Sequence, residues 1–110
     1  MIDWQRVNEL RDEVGAEDFE EVVDLFLEEV EEVTDRLADR ADADTLAGDL
    51  HFLKGCALSL GFSGFSDLCQ RGETLSAQGL AGSVDVPEVL AVYHMSKKVF
   101  LKELPNAVRS

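Results

Sequence analysis

Apolar residues recur at helical spacing along almost the whole chain. The clearest stripe lies in the middle of the sequence, where apolar side chains return every three or four residues: Leu46, Leu50, Leu53, Ala57 and Leu60. Such spacing places them on one side of an α-helix and predicts that this side is buried. Asp42 is placed to cap the start of this helix, and Gly61 is placed to end it.

Two further helices are predicted before this one. The first covers about residues 2–13, with Asp3 as its N-cap and Gly15 after its end. The second covers about residues 16–40. It carries a long apolar stripe: Phe19, Val22, Val23, Phe26, Val30, Val33 and Leu37.

Two more helices are predicted after the middle one. The fourth begins at a serine cap, either Ser63 or Ser66, and runs to about residue 78. A glycine-containing loop follows, and Asp85 then starts the last helix, which Pro105 is expected to stop after about residue 104. The inward positions of the last helix are predicted to be Val89, Tyr93, Phe100 and Leu104.

No stretch of the sequence alternates apolar and polar residues in the way that a β-strand does. The predicted fold is therefore all-α, an up-down-up-down four-helix bundle with a short additional N-terminal helix. Residues 1–110 are expected to form a single domain, because the length suits one small domain and 45% of the residues are apolar.

The chain is strongly acidic, with 23 acidic against 10 basic residues and a formal net charge of −13. Nucleic acids and anionic membrane surfaces bind basic faces, so this charge argues against both as partners. No apolar run approaches the roughly 20 residues of a membrane span, and no signal-peptide pattern opens the sequence. We expect a cytoplasmic protein in which Cys56 and Cys69 are buried thiols and not a disulfide.

His51 has the most distinctive surroundings in the sequence. It lies off the buried stripe, with Gly48 one turn before it and Lys54 and Gly55 one turn after it. Glycine inside a helix costs about 1 kcal/mol relative to alanine, and these two glycines would leave space beside the imidazole. An open approach and a nearby cation suit a phosphoryl-accepting histidine. A solvated histidine without a special role remains the alternative for His51, and a structural or solvated role is expected for His94.

The string H-F-L-K-G-C-A-L-S-L-G, residues 51–61, closely resembles the signature of histidine-containing phosphotransfer (HPt) domains. That signature has a histidine, then Lys-Gly at the third and fourth positions after it, and a glycine at the tenth. These positions are His51, Lys54, Gly55 and Gly61. The signature continues with a small or aromatic residue and a helix carrying Leu, Cys and Glu, which correspond to Phe62, Leu68, Cys69 and Glu73.

The resemblance implies that His51 accepts a phosphoryl group from the aspartyl phosphate of a response-regulator receiver domain and passes it to another receiver. A (hybrid) sensor histidine kinase would be a further partner. Lys54 would supply a positive charge, and the backbone at Gly55 would let the receiver come close. No cofactor is implied for this chain, since the Mg²⁺ would belong to the receiver. The sequence has no nucleotide loop or kinase motif, so we expect no ATP-dependent kinase activity.

Some positions stay open within this resemblance. Many HPt domains carry a Gln or Arg near the phosphate on the helix after the histidine, and Gln70 and Arg71 are both candidates. Glu73 is expected to cap its helix or to pair locally. Leu50, directly before the histidine, departs from the Ala that is often found there in the family.

A docking surface for the receiver is predicted around His51, with Gly48 and Gly61 beside it. Leu58, one turn past Lys54, is its first apolar candidate. Weaker candidates are Phe62, Ile2, Val7 and Leu27. Val23 and Leu27 are expected to be partly exposed. Nothing in the sequence requires a dimer, and we expect a monomer unless Trp4 or Leu27 is exposed.

Two other functions are weighed against phosphotransfer. One is a non-catalytic helical-bundle module that binds and regulates a receiver or kinase without using the histidine. The other is a histidine-dependent enzyme or a metal protein, which is disfavoured because the sequence offers no second ligand or acid–base partner for His51. Replacing His51 with Gln separates the first two functions, because a phosphocarrier would lose transfer and keep binding.

Overall fold

The computed structural model describes residues 1–107 of the chain, and the side chains of residues 1–104. This part forms five α-helices: α1 (Trp4–Val14), α2 (Ala16–Asp39), α3 (Ala43–Leu60), α4 (Ser63–Ala77) and α5 (Val86–Ala107). A short 3-10 helix, Ala81–Ser83, lies between α4 and α5. The predicted all-α class is confirmed. The expected stop at Pro105 is wrong, because α5 continues for two more residues; proline favours the end of a helix but does not compel it.

The four long helices contact one another in a closed ring. α2 packs on α3, α3 on α4 and α4 on α5, and α5 in turn contacts α2. The contact between α3 and α4 is the most extensive, and α1 contacts both α2 and α3. The middle two of these four helices, α3 and α4, therefore each have a neighbouring helix on both flanks and one free outer side. Within residues 1–107, no helix combines the length and the apolarity needed to cross a lipid bilayer.

The core is one contiguous cluster of apolar side chains from all five helices. It contains the whole predicted stripe of α3. Phe62, at the start of α4, lies between two rings of α5, with ring centroids 6.3 Å from Tyr93 and 5.2 Å from Phe100. Tyr93 also contacts Phe65 at 5.3 Å. These aromatic contacts hold the end of α3 and the start of α4 against α5.

Three residues that were expected at the surface are buried instead: Val23, Leu27 and Phe62. Val23 and Leu27 are buried because α2 contacts three helices, α1, α3 and α5. The buried side of α2 is therefore wider than a single stripe. Trp4 stacks on Phe100 with ring centroids 5.7 Å apart. Neither Trp4 nor Leu27 therefore provides the exposed apolar surface that would have argued for a dimer.

Three helices begin at aspartates whose carboxylates accept backbone N–H groups of the first turn, as predicted: Asp3, Asp42 and Asp85. The predicted serine cap of α4 is wrong. Phe62 occupies its N-cap position, without a side-chain hydrogen bond to the helix. Ser63 donates its hydroxyl hydrogen to the carbonyl oxygen of Met1 at 2.9 Å, so it ties the N-terminal segment to the turn before α4.

Gly61 forms this turn between α3 and α4 with φ +77°, in the left-handed region. A Cβ at this position would lie 2.6 Å from the main-chain oxygen of Asp3 and 3.1 Å from Cγ2 of Val7. The N–H of Asp3 donates to the carbonyl oxygen of Gly61 at 2.7 Å. Both the backbone conformation and the close approach of the N-terminal segment therefore require glycine here.

Replacing Gly61 with Ala is expected to destabilise the protein by about 2 kcal/mol or more, because left-handed strain and overpacking add. Urea unfolding followed by circular dichroism measures this change. Gly48→Ala is the matched control, because a Cβ there meets nothing within 4 Å. That variant should gain up to about 1 kcal/mol from helix propensity. Equal stability of the two variants would contradict the close approach described at Gly61.

Candidate functional site

His51 lies on the free outer side of α3, and its side chain is 69% exposed. Gly48 and Gly55 are exposed beside it, and a Cβ at either position would meet nothing within 4 Å. The protein itself therefore does not require glycine at these positions. The space that they leave is available to a molecule that approaches His51 from outside.

Glu73 of α4 binds two residues of α3 through its two carboxylate oxygens. Its Oε2 lies 2.9 Å from Nδ1 of His51, and its Oε1 accepts from Nζ of Lys54 at 2.8 Å. The expectation that Glu73 caps its helix or pairs locally is wrong, because its partners lie on the neighbouring helix. The sequence placed Glu73 within the family signature but could not show which helix it faces.

The close packing of α3 and α4 brings Glu73 within reach. A Cβ on Gly72 would lie 2.8 Å from Cδ1 of Leu50, so the glycine makes room for the leucine that precedes His51. Leu50 is completely buried at this contact. Leucine at this position, a departure from the usual family residue, is thus accommodated by a glycine on the facing helix, directly before Glu73.

The Glu73 contact fixes which nitrogen of His51 carries the hydrogen. A carboxylate oxygen only accepts hydrogen bonds, so the hydrogen of this bond belongs to Nδ1. In the neutral ring, Nε2 then keeps its lone pair. Within residues 1–107, Nε2 has no hydrogen-bond partner. The neutral form of His51 thus combines an exposed ring with an unprotonated nitrogen.

The pKa of Glu73 lies below its ordinary value, chiefly because Lys54 donates a hydrogen bond to the carboxylate. Partial desolvation opposes this shift, and the contact with His51 reinforces it. Glu73 is therefore ionised at neutral pH, so both of its carboxylate oxygens accept hydrogen bonds.

We expect the carboxyl of Glu73 to titrate below its ordinary value near 4.5. A lowered folded-state pKa contributes stability above the unfolded-state pKa, and that stability is lost as the pH falls through the folded-state value. A ¹³C NMR titration of the carboxyl carbon measures the midpoint. In the Lys54→Met control, which removes the main cause, the midpoint should rise. The same midpoint in both proteins would contradict this explanation.

The hydrogen bonds of Lys54 also distinguish the two polar candidates on α4. Nζ of Lys54 donates to Oε1 of Gln70 at 2.9 Å, so Gln70 belongs to the surroundings of His51. Arg71 instead lines a groove between α4 and the start of α5, together with Val84 and Glu88.

The exposed apolar residues near His51 match the predicted docking surface only in part. Leu58 is 57% exposed, and Phe52, which the apolar pattern did not single out, is 41% exposed. Phe62, Val7 and Leu27 belong to the core, and Gly61 is buried against the N-terminal segment. The expectation that these four residues contribute to docking is therefore wrong. Phe52 was detectable in principle, because it also lies off the buried stripe.

Both cysteines are free and buried, as predicted. Burial, with a smaller effect from Glu73, raises the pKa of Cys69 to about 12. Burial likewise raises the pKa of Cys56. Both thiols are therefore protonated at neutral pH and are poor nucleophiles. Among residues 1–107, no group of three or more His, Cys, Asp or Glu side chains is arranged to hold a metal ion.

The fold and the site define a class of protein, in which an exposed histidine on one helix of an all-helical domain is oriented by a carboxylate and accompanied by a lysine. Residues 21–109 match the family model of the Hpt domain, so the chain belongs to this family. The family carries out phosphotransfer in two-component phosphorelays, and its members interact with receiver domains and kinases. No match was found among curated proteins or among solved structures.

Proposed function

We propose that this protein is a phosphohistidine carrier. His51 accepts a phosphoryl group from the aspartyl phosphate of one receiver domain, within a pathway fed by a sensor histidine kinase, and passes it to the aspartate of another receiver. The contact between Nδ1 of His51 and Glu73 is the main support, because it leaves Nε2 as the nucleophile on an exposed side chain.

The acceptance step begins when the lone pair of Nε2 attacks the phosphorus of the aspartyl phosphate. A P–N bond forms, the P–O bond to the aspartate breaks, and the electron pair of that bond leaves with the receiver's carboxylate. Nδ1 keeps its hydrogen, so positive charge develops on the imidazole ring. The carboxylate of Glu73, 2.9 Å from Nδ1, stabilises that charge. The same bond changes in reverse transfer the phosphoryl group from His51 to the aspartate of a second receiver.

Lys54 is the cation for the transferred group. Its Nζ and Nδ1 of His51 bind the two oxygens of the same Glu73 carboxylate. Since a lysine side chain is flexible, the ammonium can turn from Glu73 toward the phosphoryl oxygens without movement of either helix. The receiver contributes the Mg²⁺, and Gly55 allows its loops to approach.

The docking surface for the receiver consists of the outer side of α3 around His51. Leu58 and Phe52 supply exposed apolar area on this side. Gly48 and Gly55 supply flat backbone on either side of His51. A small apolar centre with a polar rim suits a transient complex, which a carrier needs because it must leave one receiver to reach the next.

We also infer a single domain with an up-down-up-down arrangement of α2 to α5. The contiguous core and the ring of contacts between successive helices support this arrangement, since short connections favour antiparallel neighbours. A monomer fits the packing of Trp4 and Leu27. We likewise infer a cytoplasmic protein, and its acidic composition favours solubility.

The test uses a panel of receiver domains that are charged with labelled acetyl phosphate. Label should move onto this protein and be acid-labile and base-stable, and ¹H–¹⁵N NMR correlation should place the phosphorus on Nε2 of His51. Binding of a receiver without any transfer of label would instead favour the non-catalytic regulatory module. Phosphorus on Nδ1 would contradict the orientation of the ring by Glu73.

A further inference from the structure

A chain of hydrogen bonds runs from His51 through Glu73, Lys54 and Gln70 to Thr74. Thr74 lies on the exposed side of α4. Lys54 donates to Oε1 of Gln70 at 2.9 Å, and Nε2 of Gln70 donates to Oγ1 of Thr74 at 3.1 Å. We propose that Thr74 is a positioning residue for phosphoryl transfer. It fixes the side-chain amide of Gln70, and Gln70 in turn holds the ammonium of Lys54 beside His51. The proposal rests on the phosphocarrier function.

Each bond of this chain has a direction fixed by chemistry. The ammonium of Lys54 only donates, so Gln70 must present Oε1 to it and its Nε2 faces Thr74. The hydroxyl of Thr74 gives its one hydrogen to the main-chain carbonyl of Gln70 at 3.0 Å. Its oxygen is then left to accept from Nε2. Thr74 therefore favours the single amide orientation in which Gln70 can bind Lys54.

Gln70 needs such a partner because it lies at the surface. An exposed glutamine samples several rotamers, and only a few of them present the carbonyl oxygen to Lys54. Thr74 is a better anchor, because its branched side chain has few rotamers and its hydroxyl is bound to the carbonyl one turn before it. Thr74 thus restricts the more flexible side chain.

The position of Lys54 matters because its two acceptors differ in charge. Glu73 is ionised and neutralises the ammonium, whereas Gln70 is neutral and holds the ammonium without cancelling its charge. Without Gln70, Lys54 would keep only Glu73 as an acceptor in this network. The cation would then be less available to the incoming phosphoryl group, and transfer to His51 would slow.

Thr74→Val removes the hydroxyl and keeps the branched shape, whereas Thr74→Ser keeps the hydroxyl. With a receiver that charges the wild type, the valine variant should transfer about three- to tenfold more slowly, which corresponds to the loss of about one hydrogen bond. The serine variant should retain most of the rate. Equally slow transfer by both variants would show that the hydroxyl is not responsible and would overturn the proposal.

A double-mutant cycle separates positioning through Gln70 from a merely structural effect. Gln70→Ala should itself slow transfer, and adding Thr74→Val to it should cause no further decrease. If Thr74→Val slows transfer by the same factor in both backgrounds, Thr74 does not act through Gln70. Equal unfolding midpoints of the variants serve as the control for folding, since Thr74 is exposed.

NMR of the unphosphorylated protein tests the anchoring without any transfer. The side-chain amide signals of Gln70 should shift in Thr74→Val and stay near their wild-type positions in Thr74→Ser. Unchanged signals in the valine variant would overturn the anchoring. A wild type that accepts no phosphoryl group would refute the phosphocarrier function, and the role of Thr74 in transfer with it. Normal transfer by Thr74→Val would refute only the role of Thr74.

Discussion

His51→Gln should abolish transfer of label from every receiver that charges the wild type. Glutamine cannot form the phosphoramidate, because its side-chain amide nitrogen has no nucleophilic lone pair comparable to that of Nε2. His51 is exposed, so the variant should unfold at a denaturant concentration close to that of the wild type. Receiver binding should persist. The measurement is the rate of label transfer, together with binding by titration calorimetry.

His94→Gln is the matched control for this prediction. His94 is also exposed, and it lies on α5, outside the hydrogen-bond network of His51. This variant should transfer at the wild-type rate. Label that persists in His51→Gln and disappears in His94→Gln would show that the phosphoryl group had been assigned to the wrong histidine.

Phe62→Ala should lower the free energy of unfolding by about 3–5 kcal/mol, as expected for a buried aromatic ring that leaves a cavity. Phe62 is fully buried, and the alanine variant loses the contacts of its ring with Tyr93 and Phe100. The free energy of unfolding of a small domain is about 5–15 kcal/mol in total, so this loss should leave an appreciable unfolded fraction. Urea unfolding measures this loss of free energy, provided that the slope of the free energy of unfolding against urea concentration is unchanged.

Phe52→Ala provides the comparison for a residue on the proposed docking surface. Its ring is 41% exposed, so its removal should cost much less stability than that of Phe62. It should instead weaken receiver binding, since apolar area at the centre of an interface is lost. A large effect of Phe52→Ala on stability with none on binding would remove Phe52 from the docking surface.

The features that the sequence predicted correctly are those that depend on neighbours within one helical turn. The aspartate caps and the left-handed glycine after α3 are of this kind. So is the relation of His51 to Lys54 and Gly55, because all three lie on one helix and their relative directions follow from its pitch.

The features that the sequence did not predict depend on the register between helices. Glu73 and Gln70 reach the site only because Gly72 lets α4 approach Leu50 closely. Spacing along α4 could not distinguish Gln70 from Arg71 for the same reason. The position of Ser63 likewise depends on the N-terminal segment, which occupies the turn before α4 and binds the hydroxyl that was expected to cap it.

The sequence predicted burial incorrectly for side chains that are buried by more than one neighbouring helix. The apolar stripe of α2 predicted its buried side, but not that α2 packs against α1 and α5 as well as α3, with both Val23 and Leu27 buried. Phe62 stands at a turn, where helical periodicity gives no direction for a side chain. Its burial follows from the rings of α5, which are distant in sequence.

The bond between the N–H of Asp3 and the carbonyl of Gly61 joins parts of the chain that are far apart in sequence. Terminal residues ordinarily fray independently of the rest of a domain. Here the first residues close a large loop, so we expect their release to open the end of the bundle at which α3 meets α4. Amide hydrogen exchange at Asp3 would therefore report a cooperative opening of that end, and not the local fraying of a chain terminus.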